Sequence, residues 1–192
     1  MGLDMYMYRM PRHNGTTTTE IMATESFFKY LEYVKERGGD CTFAEWNGFF
    51  SKHLPDRKVR EFYKDYFTPE YSEWDKERKH VWHSIAKQIA YWRKVNAVHK
   101  WFVDNVQDGK DDCDYYEVSK ENVENLLQIC REVDANKDLA YELLPTQSGF
   151  LFGCTDYDEW YFDDIKETIN QLEKILKETN FDKEMLCYHS SW

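Results

Sequence analysis

No stretch of this chain stays apolar for the roughly 20 residues that a membrane-spanning helix needs. The opening segment 1–10 has neither the basic nor the apolar region of a secretory leader. These absences point to a soluble protein of the cytoplasm with no membrane association. Positive charge is also in short supply: 25 Lys and Arg stand against 36 Asp and Glu, a formal net charge of -11. That balance opposes binding to duplex nucleic acid, which is driven by phosphate neutralisation, but leaves a nucleotide-sized anion open. The five cysteines (Cys41, Cys113, Cys130, Cys154, Cys187) form no CxxC pair, and an odd number cannot all pair within one chain, so they read as reduced. The P-loop, GxGxxG, GxSxG and HExxH patterns are all missing. No cofactor and no metal are therefore expected. His80 and His83 could touch one metal or lie on an exposed polar face, and Asp111, Asp112 and Asp114 lack the full EF-hand pattern and read as a solvated loop.

Aromatic residues are what the chain has in excess, with 7 Trp, 14 Tyr and 12 Phe among 192 residues, so any core or pocket must be built largely from rings. Its length suits one domain spanning 1–192.

Leu3, Met5 and Met7 alternate with Asp4, Tyr6 and Tyr8, the period of a half-buried strand. A turn or loop through Glu20 follows. The segment 24–77 then reads as a helical, aromatic-rich insertion: Thr24 caps one helix, Thr42 and Glu45 have capping-box spacing before a second, and Asp56 starts a third. Helical spacing of Val81, Ile85, Ile89, Trp92, Val95, Val98, Phe102 and Val106 predicts the longest helix over 81–107, with Gly109 at its exit. Tyr115 and its neighbours predict a short strand, and Ser119 caps a helix bearing Val123, Leu126, Leu127 and Cys130. The run 149–153 reads as an apolar strand bracketed by glycines. Asp156 and Glu159 have the spacing of an N-cap and its partner for a last helix, and the tail 185–192 returns as a strand. The fold class is α+β: a small antiparallel sheet from the two chain ends and the Tyr115 and Phe150 strands, covered by the long helix and its neighbours.

Two places break the apolar pattern. On the 81–107 helix, Asn96 and His99 fall within about 80° of arc of Val81, Ile85, Ile89, Trp92 and Val103. A buried polar side chain must find a partner, so these two are either a satisfied core pair or ligand contacts. Arg93 lies at the edge of the stripe. The second interruption is Thr155, Asp156, Tyr157, Asp158, Glu159, Trp160 and Tyr161, where carboxylates, phenols and an indole alternate at a helix start. Such a turn either caps a helix with interfacial rings or holds a ligand.

Several segments carry a resemblance: Met1-Gly2-Leu3-Asp4-Met5-Tyr6, the run from Tyr91-Trp92-Arg93-Lys94 to Val103, Leu143 to Phe150, Tyr157-Asp158-Glu159-Trp160-Tyr161, and the terminal Ser190-Ser191-Trp192. Together they resemble an uncharacterised family of small phage and bacterial proteins. The likeness covers the first strand and most of the chain after Ile85, but not the middle block. Asp114 and Cys154 stand where the family has glycine and a small residue or serine. Phage occurrence implies a role against host defence.

The leading functional expectation is a non-enzymatic binder that sequesters a small nucleotide-derived molecule, such as an immune signal, between the 91–100 helix and the 155–161 turn. Trp92, Tyr157 or Trp160 would stack on it, Arg93 and Lys94 would hold phosphate, and Asn96, His99, Asp158 and Glu159 would read hydroxyl or amine groups beside Thr155. One rival is an inhibitor that covers a host defence protein with the 46–74 surface. Another is a nucleotide-directed hydrolase using His99 with Asp158 or Glu159 as acid and base. Self-association is open.

Overall fold

Alternation at the amino end produces the expected strand. In β1 (Asp4–Pro11), Met5 and Met7 are buried together with the preceding Leu3, while Asp4, Tyr6 and Tyr8 turn to the opposite face. The computed structural model describes residues 2–12 and 86–192. The chain divides into two compact units, one formed by Met1–Arg9 with Gln88–Trp192 and the other by Met10–Lys87. The 24–77 block, the 46–74 surface, Cys41 and the His80 and His83 pair all lie outside the described residues.

The helix expected over 81–107 is instead a strand, a sharp turn and a shorter helix. Residues 87–93 form β2 (Lys87–Arg93), Lys94 turns with φ of 62°, and α1 (Asn96–Asn105) begins two residues later. The spacing of Ile89 and Trp92 fitted a helix, but the burial that organises this segment has period two: Ala90 and Trp92 point inward, while Tyr91 and Arg93 point outward. Tertiary contacts fix the strand. The Trp92 indole donates to Thr168 Oγ1 at 3.1 Å inside the core, and the Lys94 amide donates to the Leu3 carbonyl at 2.8 Å.

β3 (Tyr115–Val118) pairs antiparallel with β4 (Glu184–Ser191), with Tyr116 opposite Tyr188 and Val118 opposite Leu186. The four strands run in the order β2-β1-β4-β3, giving an α+β fold on a small antiparallel sheet. The expected strand at Phe150 does not form; its place in the sheet is taken by β2. Leu151 and Gly153 adopt φ of 62° and 99°, so the glycine-bracketed run bends back on itself and buries only Phe152.

Ser119 caps α2 (Lys120–Ala135) through a reciprocal pair with Asn122, as the sequence predicts. A 3-10 turn (Lys137–Leu139) and the single turn of α3 (Ala140–Leu143) lead into a 15-residue connection, 144–158. α4 (Glu159–Glu178) then packs along α2. Its N-cap is Asp158, which accepts from the Tyr161 amide at 3.0 Å, so the cap lies two residues beyond the expected Asp156. α1 meets the sheet through Phe102, whose ring stacks on Tyr188 of β4 at 3.9 Å and 11°. Tyr188, Phe102, Leu126, Cys130 and Leu172 anchor the buried cluster.

Candidate functional site

The first residue of α1 holds the long connection in place. Asn96 is 3% exposed, and its amide nitrogen donates to the Cys154 carbonyl at 2.8 Å and to the Phe152 carbonyl at 3.3 Å. Its amide oxygen accepts from the Gln147 amide at 3.1 Å. Every strong group of this side chain is thus matched with backbone, and Asn96 works as a latch between α1 and 147–154. Gly153 permits the approach: its φ of 99° suits glycine, and a Cβ there would stand 3.1 Å from the Lys94 Cβ. Tyr157 secures the other arm of the connection. Its hydroxyl accepts from the Thr146 amide at 3.2 Å, and its ring lies against Tyr141 at 3.9 Å.

Beside the latch is a hollow of about 170 Å³, bounded by Lys94 and the start of α1, the turn at Gly153 and Cys154, and the first turns of α4. Asp156, Asp158 and Asp164 contribute carboxylates to its wall, and Trp160, 78% exposed, stands at its rim. Lys94 is the sole cation in the wall among the described residues. Two of the carboxylates are engaged: one Asp158 oxygen caps α4, and Asp156 accepts from the Cys154 thiol at 3.2 Å. Asp164 differs. No hydrogen bond or ion pair to its carboxylate is found among the described residues, and partial burial, with Asp163 and Asp158 close by, pushes its pKa up to about 6. An engineered apolar cavity of about 150 Å³ holds a benzene molecule, so a hollow of this volume has room for one ring or one sugar.

His99 belongs to a different place. It is fully buried; its Nδ1 accepts from the Tyr188 hydroxyl at 2.8 Å, and its Nε2 lies 3.1 Å from Asp111 Oδ2 without the alignment of a full hydrogen bond. Desolvation lowers its pKa, partly opposed by Asp111, which favours a neutral ring with Nε2 carrying the proton. Burial raises the Tyr188 phenol in turn, keeping its donor. Asp111 also accepts from the Trp192 indole at 3.0 Å, so the imidazole ties α1, the acidic turn and the end of β4 together.

Of the residues expected to share a site, Lys94, Asn96, Asp158 and Trp160 meet at the hollow. Trp92 is in the core, and Arg93 projects from the outer side of β2. His99, Thr155, Tyr157 and Glu159 are not part of the wall; Thr155 contributes its carbonyl to the Thr146 hydroxyl. Asp156, Tyr161 and Asp164 are wall residues to which the sequence reading gave no ligand role. Their signal was present: Asp164 follows Trp160 by four residues on one helix, which puts both on one face.

Comparison of the chain with protein-family models, with curated proteins and with solved structures found no match.

Proposed function

We propose that the protein is a non-catalytic binder that captures a small nucleotide-derived molecule by seating its base or ribose in the hollow between the start of α1 and the first turns of α4. The observation that carries this reading is the hollow itself, with three carboxylates in its wall and an indole at its rim. Carboxylates accept hydrogen bonds from ribose hydroxyls or an exocyclic amine, and an exposed indole offers a face for a ring. The roles differ from those the sequence suggested. Asn96 shapes the hollow and has no free amide group for a ligand, Trp160 takes the stacking role, and Lys94 at the edge is left to meet a single phosphate. Chemistry is disfavoured because His99, the expected base, is engaged elsewhere with Tyr188 and Asp111. Capture without turnover is enough to withdraw a signal from a host defence pathway, in keeping with the phage resemblance.

The test is to incubate the purified chain with a panel of nucleosides, nucleotides and cyclic nucleotides, remove the free ligand, denature the protein and identify what is released by mass spectrometry. Intact release, abolished by Trp160→Ala with Asp158→Ala, is expected. Altered product would overturn the non-catalytic reading, and no release from any panel member would overturn capture.

A further inference from the structure

Within the long connection, residues 149–152 close a four-residue turn in which the Phe152 amide donates to the Gly149 carbonyl at 3.3 Å. Its third position is Leu151, with φ of 62°. Glycine or asparagine normally takes that position, because an ordinary side chain is strained in the left-handed region. Phe150, at the second position, is 84% exposed, and Leu151 is 45% exposed. One exposed ring on a surface is ordinary. Two adjacent apolar side chains held outward on a strained backbone are not, since a polar residue followed by glycine would close the same turn without strain and without bare apolar surface.

The support beneath this tip is rigid. Phe152 folds under it, buried, and lies so close to Gly149 that a Cβ there would stand 2.5 Å from the Phe152 ring. The same ring meets His99 edge-on at 5.3 Å and Trp192 at 5.9 Å. Asn96 holds the Phe152 and Cys154 carbonyls from below. Phe150 and Leu151 therefore stand on a fixed backbone, with little ordering entropy left to lose when they meet another surface. The charges alongside are mostly of one sign. On one side Trp192, 52% exposed, donates to Asp111, and Asp112 and Asp114 continue that acidic turn. On the other, Asp156 accepts from the Cys154 thiol. Lys94 is the cation near the base of the tip: a Cβ on Gly2 would lie 3.3 Å from the Lys94 Cε and 3.5 Å from the Leu151 carbonyl oxygen.

We propose that the Phe150–Leu151 tip, with Trp192 beside it, is a docking knob for a partner protein that offers an apolar pocket rimmed by Lys or Arg. Shape argues against an enclosed small molecule, because the two side chains project and neither belongs to the wall of the hollow. Charge argues against an anionic lipid surface or a nucleic acid, which the flanking carboxylates and the net charge of -11 repel, and against a second copy carrying the same negative flank. A rigid aromatic anchor surrounded by charges that complement the partner is the usual composition of a binding hot spot. This inference goes beyond the capture of a nucleotide-derived molecule and does not depend on it.

The first measurement needs no partner. Phe150→Ser and Leu151→Asn should leave the urea midpoint of the full chain unchanged or raise it, because one side chain is solvated and the other strained. A midpoint lowered by either would give these side chains a structural role and overturn the proposal. The second uses a displayed library of random dodecapeptides, selected on the full chain and counter-selected on the Phe150→Ser/Leu151→Asn double variant. The surviving peptides should combine apolar residues with Lys or Arg. As synthetic peptides they should bind the parent at least tenfold more tightly than the double variant, and should weaken severalfold as salt rises from about 0.05 to 0.5 M. Failure of any peptide to survive counter-selection overturns the proposal, as do survivors without basic residues or with equal affinity for the double variant. Tip-dependent dimerisation in sedimentation, or tip-dependent binding to phosphatidylcholine vesicles, would assign the knob to another occupant and overturn it as well.

Discussion

Replacing Asn96 tests how the hollow is built. Asn96→Ala removes three hydrogen bonds to backbone, at 2.8, 3.1 and 3.3 Å. A typical hydrogen bond contributes about 1 kcal/mol net, and a buried group left without a partner costs about 1 to 3 kcal/mol. Cys154 is exposed and Gln147 partly so, which lets water replace part of the loss there, whereas Phe152 is 4% exposed and its carbonyl is harder to hydrate. The sum is about 3 kcal/mol. Asn96→Asp separates hydrogen bonding from size. The acid keeps an acceptor for the Gln147 amide but turns a carboxylate oxygen on the Cys154 and Phe152 carbonyls, a repulsion that should outweigh the roughly 0.5 kcal/mol an acid gains in a first helical turn. The folded form then favours protonation, so the Asp variant should recover stability as pH falls from 7 to 4.5 while the Ala variant shows no such recovery. Urea unfolding supplies the global value. Because the chain contains two units, amide exchange of Gln147 supplies the local one: its protection should fall to that of an open loop in the Ala variant, and fall less in the acidic one, which keeps an acceptor for that amide and should regain protection as pH falls. Two variants within 0.5 kcal/mol of the parent, with Gln147 still protected, would refute the latch.

Four further outcomes follow from the same geometry. Asp164 binds a proton between about pH 4 and 6 that the unfolded chain has already released, so its contribution to stability falls as pH rises through that window and is level above it. After allowing for its half-exposed setting, Asp164→Asn should gain about 1 kcal/mol at pH 7.5 and almost nothing at pH 4, read by urea midpoints. His99 has the opposite sign: its lowered pKa means the unfolded chain takes up a proton first, so stability drains as pH falls below 6.5, and His99→Gln should cost about 2 kcal/mol at pH 7.5 but less at pH 5.5. Ser119→Ala should lose about 1 kcal/mol through the broken capping pair, measured by thermal and urea unfolding. Gly153→Ala places a Cβ 3.1 Å from that of Lys94 in a left-handed backbone and should cost about 1 to 2 kcal/mol, with a matching fall in melting temperature.

The parts of the fold that sequence reveals are those where one local rule acts alone. Leu3, Met5 and Met7 alternate against polar neighbours, and Ser119 stands before an amphipathic run, so β1 and α2 could be read directly. Between 87 and 105 two rules compete. Ile89, Trp92 and Val95 repeat at helical spacing, yet Ala90 and Trp92 are buried with period two, and the break falls on Lys94, a residue with no preference for the left-handed conformation it adopts. Only the Leu3 carbonyl and Thr168, both distant in sequence, settle the choice. The 149–153 run fails for a related reason: its bend is held by Asn96, about fifty residues away. Asn96 and His99 were legible as buried polar residues, but not that one would bind backbone and the other a phenol and a carboxylate.

The adjacency of β1 and β4 at the middle of the sheet has a consequence for biosynthesis. About 170 residues separate these neighbours, and a ribosome adding about 5 to 20 residues per second needs roughly ten to thirty seconds to supply them. Until β2 has been made Met5 and Met7 have no sheet to enter, and from then on the edge of β1 that meets β4 stays bare. Closure of the sheet around β1 therefore waits until 184–191 has been made, and holdase chaperones at the exit tunnel should engage β1 until that strand arrives.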